Sequence, residues 1–368
     1  MRDKGGWSST TYETTTREIA KSGKSVTELG EQHVRTHGRL DPLVDPKTHG
    51  VKRESLSLMS PQGDGTFLLL EGVAIPVKTG LDTTGSMGDN VARAFKVLPK
   101  AQHYLVQGEG ALLESYHVQI ATAVIQDVED KIPYQHSEFE PDNEVDRQMR
   151  LLSPEGGGGD APEDYDLDIF YTAERTVTSI SGYGLKGYHF IVGDEIGRGR
   201  LGEHAMQKAF GLSSQGVPST EELAQKLLQG WHGFYLQVGD HLHTTEWWRR
   251  MLGSDRVVLL PSTDDLAEVQ AAIIGLTEGK LDLQSALDFL TDTARVSKAK
   301  ARQIVQAVAH IPLRAQAILP NHGKLPTKGS IFASRTDLWP INEPHGIIEE
   351  EPAHVGTSPV AGGIDWKL

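Results

Sequence analysis

Residues 80–90 read GLDTTGSMGDN. FLLLEGVAIPVKTGLD (67–82) leads into this stretch and NVARAFKVLPKAQHYL (90–105) follows it. The first has the texture of strand. The second places Val91, Ala94, Phe95 and Leu98 on one face of an amphipathic helix. The strand that matters lies within Val73–Asp82, and Pro76, which lacks a backbone donor, makes part of that run edge-like or irregular. A strand that ends on an acid and turns through alternate hydroxyl residues can point Asp82, Thr84 and Ser86 to one side. Carboxylate and hydroxyl oxygens are hard ligands, so the pattern suits Mg²⁺ or Mn²⁺ better than Zn²⁺.

Outward from this stretch, strand and helix textures alternate. YHVQIATAVIQDVED (116–130) is a short apolar strand ending in acids. EVDRQMRLLSPEGGGGDAPEDYDLDIFYTAERTV (144–177) reads as a helix, a Gly-rich loop and a second helix. GYHFIVGDE (187–195) is a buried type of strand ending at Asp194, and HGFYLQVGD (232–240) and RVVLLPS (256–262) are further short strands. Between them, Ser219 and Glu222 form a capping-box pattern at the head of a helix. Ser262 can cap the next helix, DDLAEVQAAIIGL, which carries an apolar stripe. This alternation predicts an α/β fold: a doubly wound, mostly parallel sheet with helices on both faces, of Rossmann-like type, with a small C-terminal helical extension. The expected divisions are a polar arm over 1–61, loosely ordered, then the α/β domain over 62–278. A helical extension over 279–315 and an irregular tail over 316–368 complete the chain.

Composition narrows the function. The 368 residues carry a formal charge of -14 and a pI near 5.5, with 38% hydrophobic content. Phosphate binding needs a basic footprint, so a nucleic-acid binder is not expected. Cysteine is absent, which removes disulfides, thiolate metal sites and Cys nucleophiles. MRDKGGWSSTTYETTTREIA has no apolar core of a secretory signal, and no stretch reaches the roughly 18 apolar residues of a membrane span. Cytoplasmic residence and no membrane contact follow as expectations.

In an open parallel sheet, ligands gather at the C-terminal ends of strands. Three oxygen-rich loops can meet there: Asp82–Ser86, Asp160–Asp164 and Asp194–Glu195. In these residues the chain resembles the von Willebrand factor A-type domain and its metal-ion-dependent adhesion site, which carries an Asp-x-Ser-x-Ser turn. Here the turn is Asp82-Thr83-Thr84-Gly85-Ser86, with Thr keeping the first hydroxyl. GGGGDAPED (156–164) is similar to a Gly-rich Asp-x-Pro-Glu version of the second loop, and Asp194 matches the later Asp. GVKRESLSL (50–58) together with GDE (193–195) is similar to a prokaryotic subgroup. The resemblance covers about 70–278 and implies metal ligation by Asp82, Thr84, Ser86, Glu163 and Asp194, with Asp160 as neighbour or further ligand. It also implies capture of a partner's Asp or Glu, and an AAA+ ATPase as one partner class.

Other motifs carry less. GYGLKG (182–187) precedes a strand, and GRGRLG (197–202) starts beyond Asp194, so neither fits a dinucleotide turn. The second reads as a mobile loop whose Arg198 and Arg200 can meet an acidic partner or a phosphate. The pair His241 and His243 reads as surface or packing histidines, and Trp247 and Trp248 as core. The expected function is therefore a metal-dependent protein-binding module, not an enzyme. The rival is a metal-assisted hydrolase or phosphotransferase using the same acids.

Overall fold

The computed structural model describes residues 7–47, 53–54, 59–70, 72–106, 112–113, 117–158, 161–178, 180, 183–213, 216, 218–314 and 325–333. Six strands form the central sheet: β1 (Ala74–Asp82), β2 (His117–Ile125), β3 (Tyr134–His136), β4 (Gly187–Gly193), β5 (Trp231–Gln237) and β6 (Val257–Leu259). Their spatial order is β6-β5-β4-β1-β2-β3. All neighbours run parallel except the β2–β3 pair, which is antiparallel and closes one edge. The fold is thus the doubly wound α/β arrangement expected from the alternation.

Alternate residues of each strand feed two cores, because successive side chains point to opposite faces. Ile75, Val77 and Leu81 of β1 join Tyr188, Phe190 and Val192 of β4 in one cluster. Helices α3 (Asp89–Val97), α4 (Lys100–Val106) and α10 (Leu266–Thr277) cover it. Ala121, Ala123 and Ile125 of β2 and Ile191 of β4 face the other way. There α6 (Tyr165–Glu174), α7 (Glu203–Phe210), α8 (Thr220–Gly230) and α9 (Leu242–Leu252) cover them.

Several expectations change in detail. β1 is a central strand of nine residues, not an irregular edge. Pro76 is tolerated because the β4 ladder begins only at Val77, so no bond from residue 76 to that side is required. The predicted single helix after the turn is two, since Pro99 cannot donate to the preceding turn and the chain restarts at Lys100. α10 is buried all round instead of along one stripe, the pattern of a helix enclosed by protein. Ser262 caps a 3₁₀ turn, Thr263–Asp265, that leads into it.

The polar lead-in contains α1 (Ser9–Ser22) and α2 (Glu28–His37). Both are fastened to the domain: the Tyr12 hydroxyl donates to the Lys96 carbonyl at 2.6 Å, and the Ser8 amide to Asn143, at the head of α5 (Glu144–Met149), at 2.8 Å. α2 lies so close to the 151–152 backbone that a Cβ on Gly30 would meet the Leu151 carbonyl oxygen. At the other end α11 (Leu283–Asp288) and α12 (Lys298–Val308) follow α10, and Ile304 and Val308 enter the first core. Of the predicted tail only 325–333 is described, where Ile331–Phe332 pairs with Phe67–Leu69; the rest lies outside the described residues.

Candidate metal site

The parallel strands bring their C-terminal ends to one edge, and the chain leaves that edge through Asp82, Asp127, Asp194 and the turn before His241. Register places Asp82 of β1 opposite Ile125 of β2, and Leu81 opposite Val192 of β4. Residues distant in sequence are thereby made neighbours.

The first loop is organised by its acid. Asp82 is fully buried, and its Oδ1 accepts from the Thr84 amide at 2.9 Å and from the Thr84 hydroxyl at 2.7 Å. Oγ1 of Thr84 stands 3.3 Å from Oγ of Ser86, and Ser86 donates to Asp194 Oδ1 at 3.0 Å. A continuous chain of oxygen atoms therefore runs from the end of β1 to the end of β4. The Gly-rich loop closes on it: the Gly85 amide donates to the Gly157 carbonyl at 2.6 Å. At Gly158 (φ 120°), an added Cβ would stand 3.3 Å from both Thr84 Cβ and Asp127 Oδ2. Glycine lets this backbone approach.

These loops enclose a cavity of about 540 Å³ lined by Thr84, Ser86, Glu163, Asp194, Glu195 and, at its rim, His241 and His243. Asp82 is absent from the lining; its Oδ1 holds the Thr84 hydroxyl from behind. Glu163 reaches the cavity from the second loop, after a cis Ala161–Pro162 bond. Its Oε2 is buried without a hydrogen-bond partner. Asp160 lies outside the described residues.

Electrostatics sharpen the picture. Burial raises the Asp82 carboxyl to about 6, despite bonds from Tyr165 and Thr84 that favour its charge. Glu163 is pushed up to about 10 by burial, by its hydrogen bond to Asp127, and by the charges of Asp82 and Asp127. Asp194 is raised by burial against the opposing bond from Ser86. Among the lining residues there is no Lys or Arg. Buried acids without counter-charge hold protons when metal-free and release them to a cation.

Two participants have no signature in the sequence. Tyr165 donates to Asp82 Oδ2 at 2.5 Å, and β4 permits it only because residue 193 is Gly: a Cβ there would stand 2.1 Å from the Tyr165 hydroxyl. Asp127, buried at the end of β2, backs Glu163. The acidic end of β2 was visible; its destination was set by strand order. Arg198 is a correction. It is not open to a partner, since it pairs with Asp164 at 2.9 Å and Asp127 at 3.3 Å. The 197–202 loop is pinned there, with further bridges from Gly197 to Glu163 and from Arg200 to Ser219.

The donor set fits a hard divalent ion. It offers the hydroxyls of Thr84 and Ser86 and the carboxylates of Asp194 and Glu163, one oxygen of the latter without a hydrogen-bond partner. Among the described residues, no three His, Asp or Glu side chains are grouped to hold an ion alone, so the hydroxyls are essential to the fit. Also among the described residues, no helix is long and apolar enough to cross a membrane.

No family model and no curated protein matches the chain. Among solved structures it is similar to proximal thread matrix protein 1 from the mussel byssus, described with a zinc-occupied MIDAS motif. That match has a TM-score of 0.38 and 10% identity over 57% of this chain and 48% of that one. The open conformation of the pilus adhesin SpaC from Lactobacillus rhamnosus GG gives 0.38 and 11% over 59% and 33%. The human COPII-coat protein Sec24c gives 0.35 and 9% over 57% and 34%. The chain spans less than half the length of each, and likeness at this level says nothing about function.

Proposed function

We propose that the chain is a metal-dependent protein-interaction module of the von Willebrand factor A type, with Mg²⁺ or Mn²⁺ at the head of β1. The observation that carries this reading is the oxygen chain Asp82–Thr84–Ser86–Asp194, closed by the stranded Oε2 of Glu163 in the same cavity. Thr84, Ser86, Asp194 and Glu163 would hold the ion. Asp82 and Asp127 act from behind: Asp82 fixes the Thr84 hydroxyl, and Asp127 orients Glu163. Asp160 belongs to the same loop and is a further candidate.

A divalent cation supplies Lewis acidity toward one more oxygen, and a carboxylate from a partner protein is the group such a site takes up. The residues do the rest. Gly156–Gly158 keep the loop backbone close, Tyr165 holds the rear oxygen of Asp82, and the cavity leaves room for an incoming side chain.

The test is an affinity capture from native lysate in Mg²⁺ against EDTA, with Asp82→Ala as control. A protein recovered in Mg²⁺ alone, and lost with the variant, supports the reading; an AAA+ ATPase in that fraction would identify the partner class. Capture that persists in Asp82→Ala contradicts it.

A further inference from the structure

The loop that leaves Asp194 is fastened to the loop that carries Glu163. β4 ends at Gly193, and four residues beyond Asp194 the chain reaches Arg198. On the way the Ile196 carbonyl accepts from the Glu163 amide at 3.0 Å, and Gly197 bridges Glu163 in parallel. Gly197 lets this segment lie close against α9, since a Cβ there would stand 2.8 Å from the Trp247 ring. The Arg198 amide then donates to the buried Asp166 carboxyl in the first turn of α6. The backbone around Arg198 is thus fixed from several sides before its side chain makes any contact.

That side chain joins two acids around Glu163. Its Nε stands 2.9 Å from Asp164 Oδ1 and its Nη2 3.3 Å from Asp127 Oδ1, with Glu129 at 3.8 Å. The Arg198 side chain is 23% exposed, whereas those of Asp127 and Asp164 are 0% and 5% exposed. Each acid governs a different part of Glu163: Asp127 is hydrogen-bonded to its carboxyl, and Asp164 follows it in the chain. Asp164 Oδ2 also accepts from the Val128 amide at 2.7 Å, which ties the end of β2 to the same group. A guanidinium presents its donors in a rigid planar fork, so one side chain sets the separation of the two carboxylates. An ammonium is a point charge and does not.

We infer that Arg198 is a positioning residue for the ion: its fork clamps Asp127 and Asp164 and thereby holds the Glu163 carboxylate toward the cavity. The inference rests on the metal-dependent reading above and adds the residue that couples the Asp194 and Glu163 loops. Two effects of Arg198 oppose each other. A positive charge near a cation site repels the ion through space, so removing it would tighten binding. A group that orients a metal ligand contributes about 10–100-fold to affinity, so removing it would weaken binding. The charge of Arg198 is offset by Asp127 and Asp164, which leaves orientation as the larger effect. The sign of the change in affinity therefore decides.

The probe is Mn²⁺ alone, and binding is read by calorimetry on the full chain. Arg198→Lys keeps a cation against the acids and so guards the fold, but it lacks the fork. Arg198→Met removes both charge and fork. Each variant should bind Mn²⁺ about tenfold more weakly than the wild type, the Lys variant with a melting temperature close to that of the wild type. The losses from Arg198→Lys and Asp127→Asn should not add, since both act through Glu163. Lys226→Met takes the cation away from the buried Glu174 at the far end of α6. It should lower the melting temperature and leave Mn²⁺ affinity as it was. Affinity that is unchanged or tighter in either Arg198 variant, losses that add with Asp127→Asn, or an equal loss in Lys226→Met overturns the inference and spares the metal reading. A wild type that binds no Mn²⁺ overturns the metal reading, and this inference with it.

Discussion

Two buried carboxylates sit on the same face of the sheet and meet opposite fates. Asp168 of α6 is fully buried against Lys78 of β1, at 2.7 Å, and His189 of β4, at 2.6 Å, with Tyr134 also donating to it at 2.8 Å. Asp82, four residues beyond Lys78 on the same strand, is equally buried but, among the described residues, accepts hydrogen bonds from Thr84 and Tyr165 alone. Burial would raise both. Lys78 and His189 overcome it and hold Asp168 well below the usual carboxylate range, while Asp82 rises to about 6. A buried acid whose counter-charge lies within the chain is part of the scaffold; one whose counter-charge is missing asks for a cation from outside.

The largest effect is expected from breaking the satisfied pair. Lys78→Met leaves Asp168 charged in a dry interior and should cost about 3–5 kcal/mol in denaturant unfolding, with no recovery on adding Mg²⁺. If Mg²⁺ restores it, the two regions are not separate.

pH separates the two acids by sign. The folded pKa of Asp168 is depressed, so its contribution is full above the ordinary carboxylate range and is lost only as pH falls through the folded value. The folded pKa of Asp82 is raised, so its burial costs nothing below about pH 4 and up to about 3 kcal/mol above pH 6. Metal-free protein should therefore lose stability from Asp82 as pH rises from 4 to 6. Metal affinity should increase from about pH 4 and go on rising above pH 6, because Glu163 is held protonated to still higher pH and binding needs the deprotonated acids. Unfolding curves across that range, with and without Mg²⁺, check both slopes.

At a hundredfold excess over Kd, Mg²⁺ should stabilise the wild type by about 2.7 kcal/mol at pH 7.5. Asp82→Asn should abolish this gain while leaving the metal-free protein no less stable than the wild type. Thermal melts of both proteins measure it.

Two glycines give the finest contrast. A Cβ at Gly80 would stand 2.0 Å from Asp168 Oδ2, and one at Gly193 2.1 Å from the Tyr165 hydroxyl. Each alanine should cost about 1–3 kcal/mol through overpacking. Only Gly193→Ala, which displaces Tyr165 from Asp82, should also weaken metal binding; calorimetry on the pair decides.

Much of this was readable from the chain because parallel strands end where ligands gather. Two strand ends put Asp82, Thr84, Ser86 and Asp194 at one edge of the sheet, whereas Glu163 was singled out by the family resemblance and not by its spacing. Asp127, Tyr165 and the α9 rim were missed, since each reaches the site through strand order or helix placement, which spacing alone does not encode. β3 is too short, at three residues, to show a period. α1 buries little beyond Tyr12, so its polar sequence resembled a loose arm. The break at Pro99 was legible in principle, because proline interrupts the ladder wherever a helix runs into it.

The most direct measurement is a calorimetric Mn²⁺ titration of the full chain at pH 7.5, repeated on Ser86→Ala and Asp194→Asn. The predicted result is one ion per chain in the wild type, weakened about tenfold or more in each variant. No binding by the wild type, or equal affinity in all three proteins, would contradict a shared ion between the ends of β1 and β4.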